Sequence, residues 1–254
     1  QHEIDLQYTD ALTMADNVMT TKLLIKELAQ QASVYATFMP KPISGQNGSG
    51  MHIHQSLFQG DKNTFFDSDD EHQLSITGKR FIAGLLHHAP EITLITNQWV
   101  NSYKRLVPGF EAPAFISWAH TSRSDLIRVP AHKPGYESSM RVEYRAPDPA
   151  CNPYLAFSVM LAAGFKGIEN EYPVPPAVEG NVFNMSPEER QSKGIKAMPG
   201  SLGEALALAE GSELLQESLG EHILNSVIQN KSMEWNEYRA TVTDYERLRY
   251  LPIL

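Results

Sequence analysis

One cysteine, Cys151, stands in 254 residues. A single thiol excludes an internal disulfide framework and a cysteine-built zinc site. It fits a reducing compartment. Basic residues are the minority: 21 Lys and Arg against 30 Asp and Glu leave a net charge of −9. Binding driven by phosphate contacts needs the opposite balance, so no nucleic-acid partner is expected. Long apolar runs are missing, and none approaches the ~20 residues of a membrane-spanning helix. The first residues carry no signal-peptide pattern. No membrane partner is expected, and no internal repeat is visible. What is present is an ordinary globular balance, 42% hydrophobic and 20% charged, which excludes disorder over most of the length.

The pattern divides the chain into elements. Asp10 to about Ser33 reads as a helix: Thr9 or Asp10 can cap it, and Met14, Val18, Ile25 and Leu28 recur at helical spacing. Val34–Pro40 reads as a short strand leading into the glycine-rich loop Ser44–Gly50. Met51–Phe58 reads as a strand, and turn chemistry at Gly60-Asp61-Lys62-Asn63 predicts a hairpin over Met51–Phe66. Thr77–His88 is helical. Ala114–His120 and Arg141–Ala146 read as strands, and Asn152-Pro153 opens a helix to about Ile168. Residues 171–189, with Pro173, Pro175, Pro176 and Pro187, read as an exposed loop. Ser201 and Glu204 have capping-box spacing. Residues 200–254 read as a helical tail, with Leu224, Ile228, Trp235, Tyr238, Val242 and Tyr245 burying one face or making a subunit contact. The sum is an α+β fold: a largely antiparallel sheet packed with helices, and a helical C-terminal region.

Two strands carry chemistry on one face. Alternation puts His52, His54 and Ser56 together, with Gln55 on the opposite face. It also joins Arg141, Glu143 and Arg145, leaving Val142 and Tyr144 to pack on helices. A solvated sheet face is the alternative, but such faces favour Lys, Thr and Glu. Imidazole with carboxylate suits Mn²⁺ or Mg²⁺. Arginines bind phosphate or carboxylate as a planar fork. Five of them, Arg105, Arg123, Arg128, Arg141 and Arg145, fall within one stretch. A divalent metal beside an arginine clamp is equipment for phosphoryl transfer. The loop Ser44–Gly50 adds backbone donors and close approach, although no Lys-Ser/Thr pair follows Gly50 to make it a P-loop. His87, His88, His120, His132 and His222 belong to no such pattern, and Cys151 reads as a packing residue.

These residues resemble the glutamine synthetase family. The run Lys41-Pro42-x-x-Gly45-x-Asn47-Gly48-Ser49-Gly50-Met51-His52-x-His54-Gln55-Ser56 is similar to the family's ATP-binding signature. Asn101–Pro113 resembles its substrate flap, and Arg141-x-Glu143-x-Arg145-x-Pro147-Asp148 with Asn152-Pro153-Tyr154 completes the likeness. The resemblance covers the whole chain as the C-terminal catalytic part of a bacterial-type enzyme, with a small N-terminal domain and the first catalytic strands expected before Gln1. It implies that Glu3 holds a first metal ion and that His52 and Glu143 hold a second. It implies that His54, Gln55 and Ser56 meet the nucleotide, and that Arg123, Arg128 and Arg141 meet its phosphates. Asn47, Gly48, Arg105 and Arg145 would bind glutamate, with Glu111 closing the site and, like Arg123, taking part in catalysis. The implied cofactors are Mg²⁺ or Mn²⁺, with ATP as co-substrate and glutamate and ammonia as substrates. A cytoplasmic homo-dodecamer is the implied assembly. Another amine in place of ammonia, or a non-catalytic homologue, stays open. Since metal carboxylates would also lie upstream, this chain by itself is expected to be inactive. Asn181–Met185 resembles a regulatory segment in which some members carry an adenylylated tyrosine; here that position is Phe183.

Overall fold

A computed structural model describes residues 2–132, 135–178 and 180–254. Gln1 of the Gln-x-Glu motif and Glu179 of the 171–189 segment lie outside them. The first helix, α1 (Ala11–Gln31), starts where its cap predicts: the Asp10 carboxylate accepts from the Thr13 amide at 3.0 Å. Val34–Pro40 forms no strand. No strand pairs with it among the described residues, and Val34 and Tyr35 stand 64% and 92% exposed.

The expected hairpin is shorter than its apolar pattern. Only β2 (Phe58–Gln59) and β3 (Lys62–Asn63) pair across the turn. The preceding β1 (Ile53–Gln55) joins a different sheet. There it lies antiparallel to β6 (Val142–Tyr144), which lies antiparallel to β5 (Ile127–Arg128), which runs parallel to β4 (Trp118–Ala119). The registers put His54 opposite Glu143 and Arg128 opposite Glu143. Three strands therefore converge on one carboxylate. The apolar side of the same strands, Ile127, Val142 and Tyr144, is fully buried in the core.

Helices cover that side. In α2 (Ile76–Thr96) nearly every turn is buried. The sequence pattern ends this helix at His88, but it continues through Pro90. Proline removes one helical hydrogen bond; burial of Leu85, Ala89, Ile92 and Ile95 holds the helix together across it. Its partner α4 (Pro153–Glu169) is capped by Asn152, whose side chain accepts from the Tyr154 and Leu155 amides. The two backbones touch at glycines. A Cβ on Gly84 would lie 2.1 Å from the Ala163 carbonyl oxygen, and one on Gly167 would lie 2.1 Å from that of Arg80. The short α3 (Ser102–Arg105) follows α2, with Ser102, Tyr103 and Arg105 buried.

The 171–189 segment is irregular but anchored. Pro175 accepts from the Trp118 indole at 2.7 Å, Val178 donates to the Trp118 carbonyl at 2.8 Å, and Val182 is buried. It ends in α5 (Pro187–Ser192). The tail follows as α6 (Leu202–Ala209), α7 (Glu213–Ala240) and α8 (Asp244–Tyr250), with α7 broken at Gly220. At α6 the Ser201 hydroxyl caps the Glu204 amide, but the Glu204 carboxylate accepts from Gly200 rather than closing the box. Leu224 is buried and Trp235 packs on Gly203. Val242 and Tyr245 do not share that burial: they stand 68% and 65% exposed, because the chain leaves the core before α8.

Candidate active site

Strand alternation holds through β1 and β6, so the polar side chains face one cavity of about 750 Å³. Glu143 sits at its base, 1% exposed. Its Oε1 accepts from Arg145 Nη1 and its Oε2 from Arg128 Nε, both at 2.5 Å. Burial by itself would raise this carboxyl's pKa, but Arg145 and then Arg128 outweigh it, and the net direction is down. Glu143 is thus an ionised acceptor fixed by two guanidiniums. His52 Nδ1 lies 3.4 Å from Glu143 Oε1 and 3.5 Å from Arg145 Nη1. Its ring opens partly into the cavity, with 30% of the side chain accessible. Its recessed position, helped by Arg145, pushes its pKa down to about 4. It is therefore neutral at pH 7, the form that binds metals. His54 is also shifted down, by burial first, and its Nδ1 accepts from Arg141 Nε at 3.2 Å.

Above this base lies the glycine-rich loop, and Arg105 is its floor. Arg105 is fully buried and donates to the carbonyls of Ala146 (2.6 Å) and Arg145 (3.1 Å). Burial lowers its pKa to about 10, which still leaves it charged at neutral pH. A Cβ on Gly50 would fall 2.4 Å from Arg105 Nη2, and one on Gly48 would fall 2.3 Å from the Pro40 carbonyl oxygen. Glycine is needed at both places so that the loop can lie on the guanidinium. Four arginines (105, 128, 141 and 145) line the cavity. Lys22 joins them, and Glu3, Asp5, Glu111 and Glu143 line the same cavity, so both signs of charge are present. The arginines gather around Glu143 at the base, where a guanidinium fork suits phosphate or carboxylate.

Of the residues singled out from sequence, the cavity gathers Glu3, Asn47, Gly48, His52, His54, Arg105, Glu111, Arg128, Arg141, Glu143 and Arg145. Three are not brought in. Arg123 is exposed away from the cavity lining. Ser56 lies past the end of β1, and Gln55 points to the other sheet face, where its amide nitrogen is buried without a partner. The sequence reading missed Lys22 of α1, which lines the same cavity and whose pKa burial lowers. It also gave no role to Lys41, which lies half-buried beside the loop.

A divalent ion fits this donor chemistry in part. A neutral imidazole and an ionised carboxylate 3.4 Å apart can occupy neighbouring positions of one shell. Among the described residues, however, no group of three His, Cys, Asp or Glu side chains is placed to hold an ion. His2 lines the cavity rim, and several other histidines make contacts elsewhere. His88 pairs with Glu91, and His120 stacks on His72 with ring centroids 3.8 Å apart. Burial raises the pKa of Cys151, so its thiol is no nucleophile at neutral pH.

Residues 1–250 match the model of the glutamine synthetase catalytic domain. The chain belongs to the glutamine synthetase family. It is 54% identical over 253 residues to the glutamine synthetase of Mycobacterium tuberculosis, covering 100% of this chain and 57% of that protein. It is 49% identical over 251 residues to the glutamine synthetase of Thermus thermophilus, covering 99% and 56%. Among solved structures, a GmaS/ADP complex superposes with a TM-score of 0.87 at 33% identity, covering 97% of this chain and 56% of that one. The chain spans a little over half the length of these glutamine synthetase relatives.

Proposed function

We propose that this chain carries the anion- and cation-binding base of an ATP-dependent ligase. The reaction joins ammonia to the γ-carboxylate of L-glutamate through γ-glutamyl phosphate and gives glutamine, ADP and phosphate. The observation that carries the reading is Glu143, held ionised between Arg128 and Arg145 beside neutral His52, beneath a loop laid on Arg105. A carboxylate is a poor acyl donor until it is phosphorylated, and phosphorylation gathers negative charge in one place. Arg128, Arg141 and Arg145 offset that charge without moving, which is worth most in a site shielded from water. Asn47 and Gly48 present the loop to glutamate, and the buried Arg105 keeps the loop at its height. Glu111, exposed at the rim, would accept a proton from an incoming ammonium. His54, oriented by Arg141, is the contact assigned to the nucleotide. Arg123, Gln55 and Ser56 do not line this cavity; their nucleotide roles, with that of Arg123 in catalysis, rest on the family resemblance alone. His52 and Glu143 would hold Mg²⁺ or Mn²⁺, which when bound neutralises phosphate charge.

The test is phosphate release in the presence of glutamate, ATP and ammonia, measured on the 254-residue chain and on a longer form that joins it to the upstream part of the Mycobacterium tuberculosis relative. In the longer form, release should require all three substrates and should fall at least tenfold in Arg145→Ala. Replacing ammonia by methylamine separates a γ-glutamyl-amine ligase. The chain by itself should release little, because only two metal donors converge in it and rate depends on placing the reactants within fractions of an ångström. Equal specific activity in the two would refute that part. Assembly as a homo-dodecamer is part of the same proposal, supported by the exposed apolar residues Leu248, Leu251, Ile253 and Leu254.

A further inference from the structure

Lys41 touches two segments that are far apart in sequence. Its ammonium donates to the Gln46 carbonyl in the glycine-rich loop. The same nitrogen lies 3.3 Å from the centre of the Phe110 ring. Its backbone is fixed on both sides: Lys41 N donates to Asn101 Oδ1 at 2.7 Å, and Asn101 Nδ2 donates to the Lys41 carbonyl at 3.1 Å. Beside it the loop closes on itself, the Ser49 amide donating to the Pro40 carbonyl at 2.8 Å. The chain around Phe110 is a tight strap: Gly109 adopts φ +93°, and the Ala112 amide donates to the Phe110 carbonyl at 2.7 Å. The anchor is rigid, and the charged head bridges two irregular pieces.

We infer that Lys41 is a positioning residue that locks the 44–50 loop to the 107–112 strap, so that Asn47 and Glu111 are held as one unit across the cavity mouth. An ammonium suits the task because it can serve a carbonyl and an aromatic face together. A loop carrying glutamate contacts and a strap carrying a proton acceptor gain from moving together, since a small error in either displaces the reacting atoms. The inference deepens the ligase reading in its consequence, but its test does not depend on that reading.

The test is amide hydrogen exchange on the chain as it stands. In Lys41→Met, protection should fall about tenfold at Gln46 and Ser49 and, together with them, at Val107 and Ala112. Lys41→Arg keeps a cation that can stack on Phe110, and should stay within about twofold of the parent. Phe110→Leu should loosen both segments as Lys41→Met does, and it decides the matter if Lys41→Met does not fold. The double variant should be little looser than either single one. Loosening of one segment only, no loosening, additive effects, failure of Lys41→Arg to restore protection, or equal loosening of α2 would overturn the inference. If exchange behaves as expected while no ligase activity is found, the lock stands and the ligase reading fails.

Discussion

Glu143 is the residue on which the cavity's charge balance turns. It takes a guanidinium on each carboxylate oxygen and is almost fully buried. Removing one member of such a group leaves the others uncompensated, at a cost of about 3 kcal/mol. Arg128 keeps 24% of its side chain accessible, so the loss in Glu143→Ala belongs at or below that figure. Denaturant unfolding of the parent and Glu143→Ala chains measures it. Glu143→Gln should lose less, since its amide oxygen can still accept from one arginine. The parity of Arg141, Glu143 and Arg145 was readable in the sequence because strand alternation needs no tertiary information. Arg128 as the second partner of Glu143 was not readable. Fifteen residues separate the two, and β5 is only two residues long, too short to show a period.

At the scale of elements, capped helices were legible and interrupted ones were not. Asp10 and Asn152 announce α1 and α4 because a cap is a local side chain–backbone bond. Pro90 announces the end of α2 locally and is overruled by burial against α4. Val34–Pro40 shows the reverse case: β-branched and aromatic residues without a pairing strand stay irregular. The glycine crossing of α2 and α4 makes a direct test. Gly84→Ala would drive a methyl into the Ala163 carbonyl, where backbone cannot give way cheaply. It should cost about 2–3 kcal/mol, read as a lowered unfolding midpoint. Gly211→Ala, with open space around its Cβ, should cost far less. The segment around Phe183 yields another test. The Phe183 ring packs at 6.0 Å from Phe115, which Arg190 covers from 4.4 Å, and it carries no hydroxyl. Incubation with a family adenylyltransferase and ATP should therefore leave peptide 181–185 unmodified by mass. An adenylyl group there would contradict this.

At the scale of the molecule, α2, α4, α6 and α7 bury the apolar side of a four-stranded sheet. Its polar side is left to one cavity. No helix among the described residues is long and apolar enough to cross a membrane. The motifs were legible as chemistry before they were legible as geometry: His52, Glu143 and Arg145 lie up to 93 residues apart, yet meet within 3.5 Å. The full ligand set was not legible in this stretch, because a metal shell is assembled from whatever elements the complete fold brings round it. On the proposed reading, this polar face is a cation site built on His52 and Glu143. Titrating Mn²⁺ into the parent chain, His52→Ala and Glu143→Gln, with free Mn²⁺ followed by electron paramagnetic resonance, tests it most directly. Each substitution should weaken binding at least tenfold, with the circular dichroism of the fold unchanged. Mn²⁺ affinity equal to the parent's in both variants would contradict it.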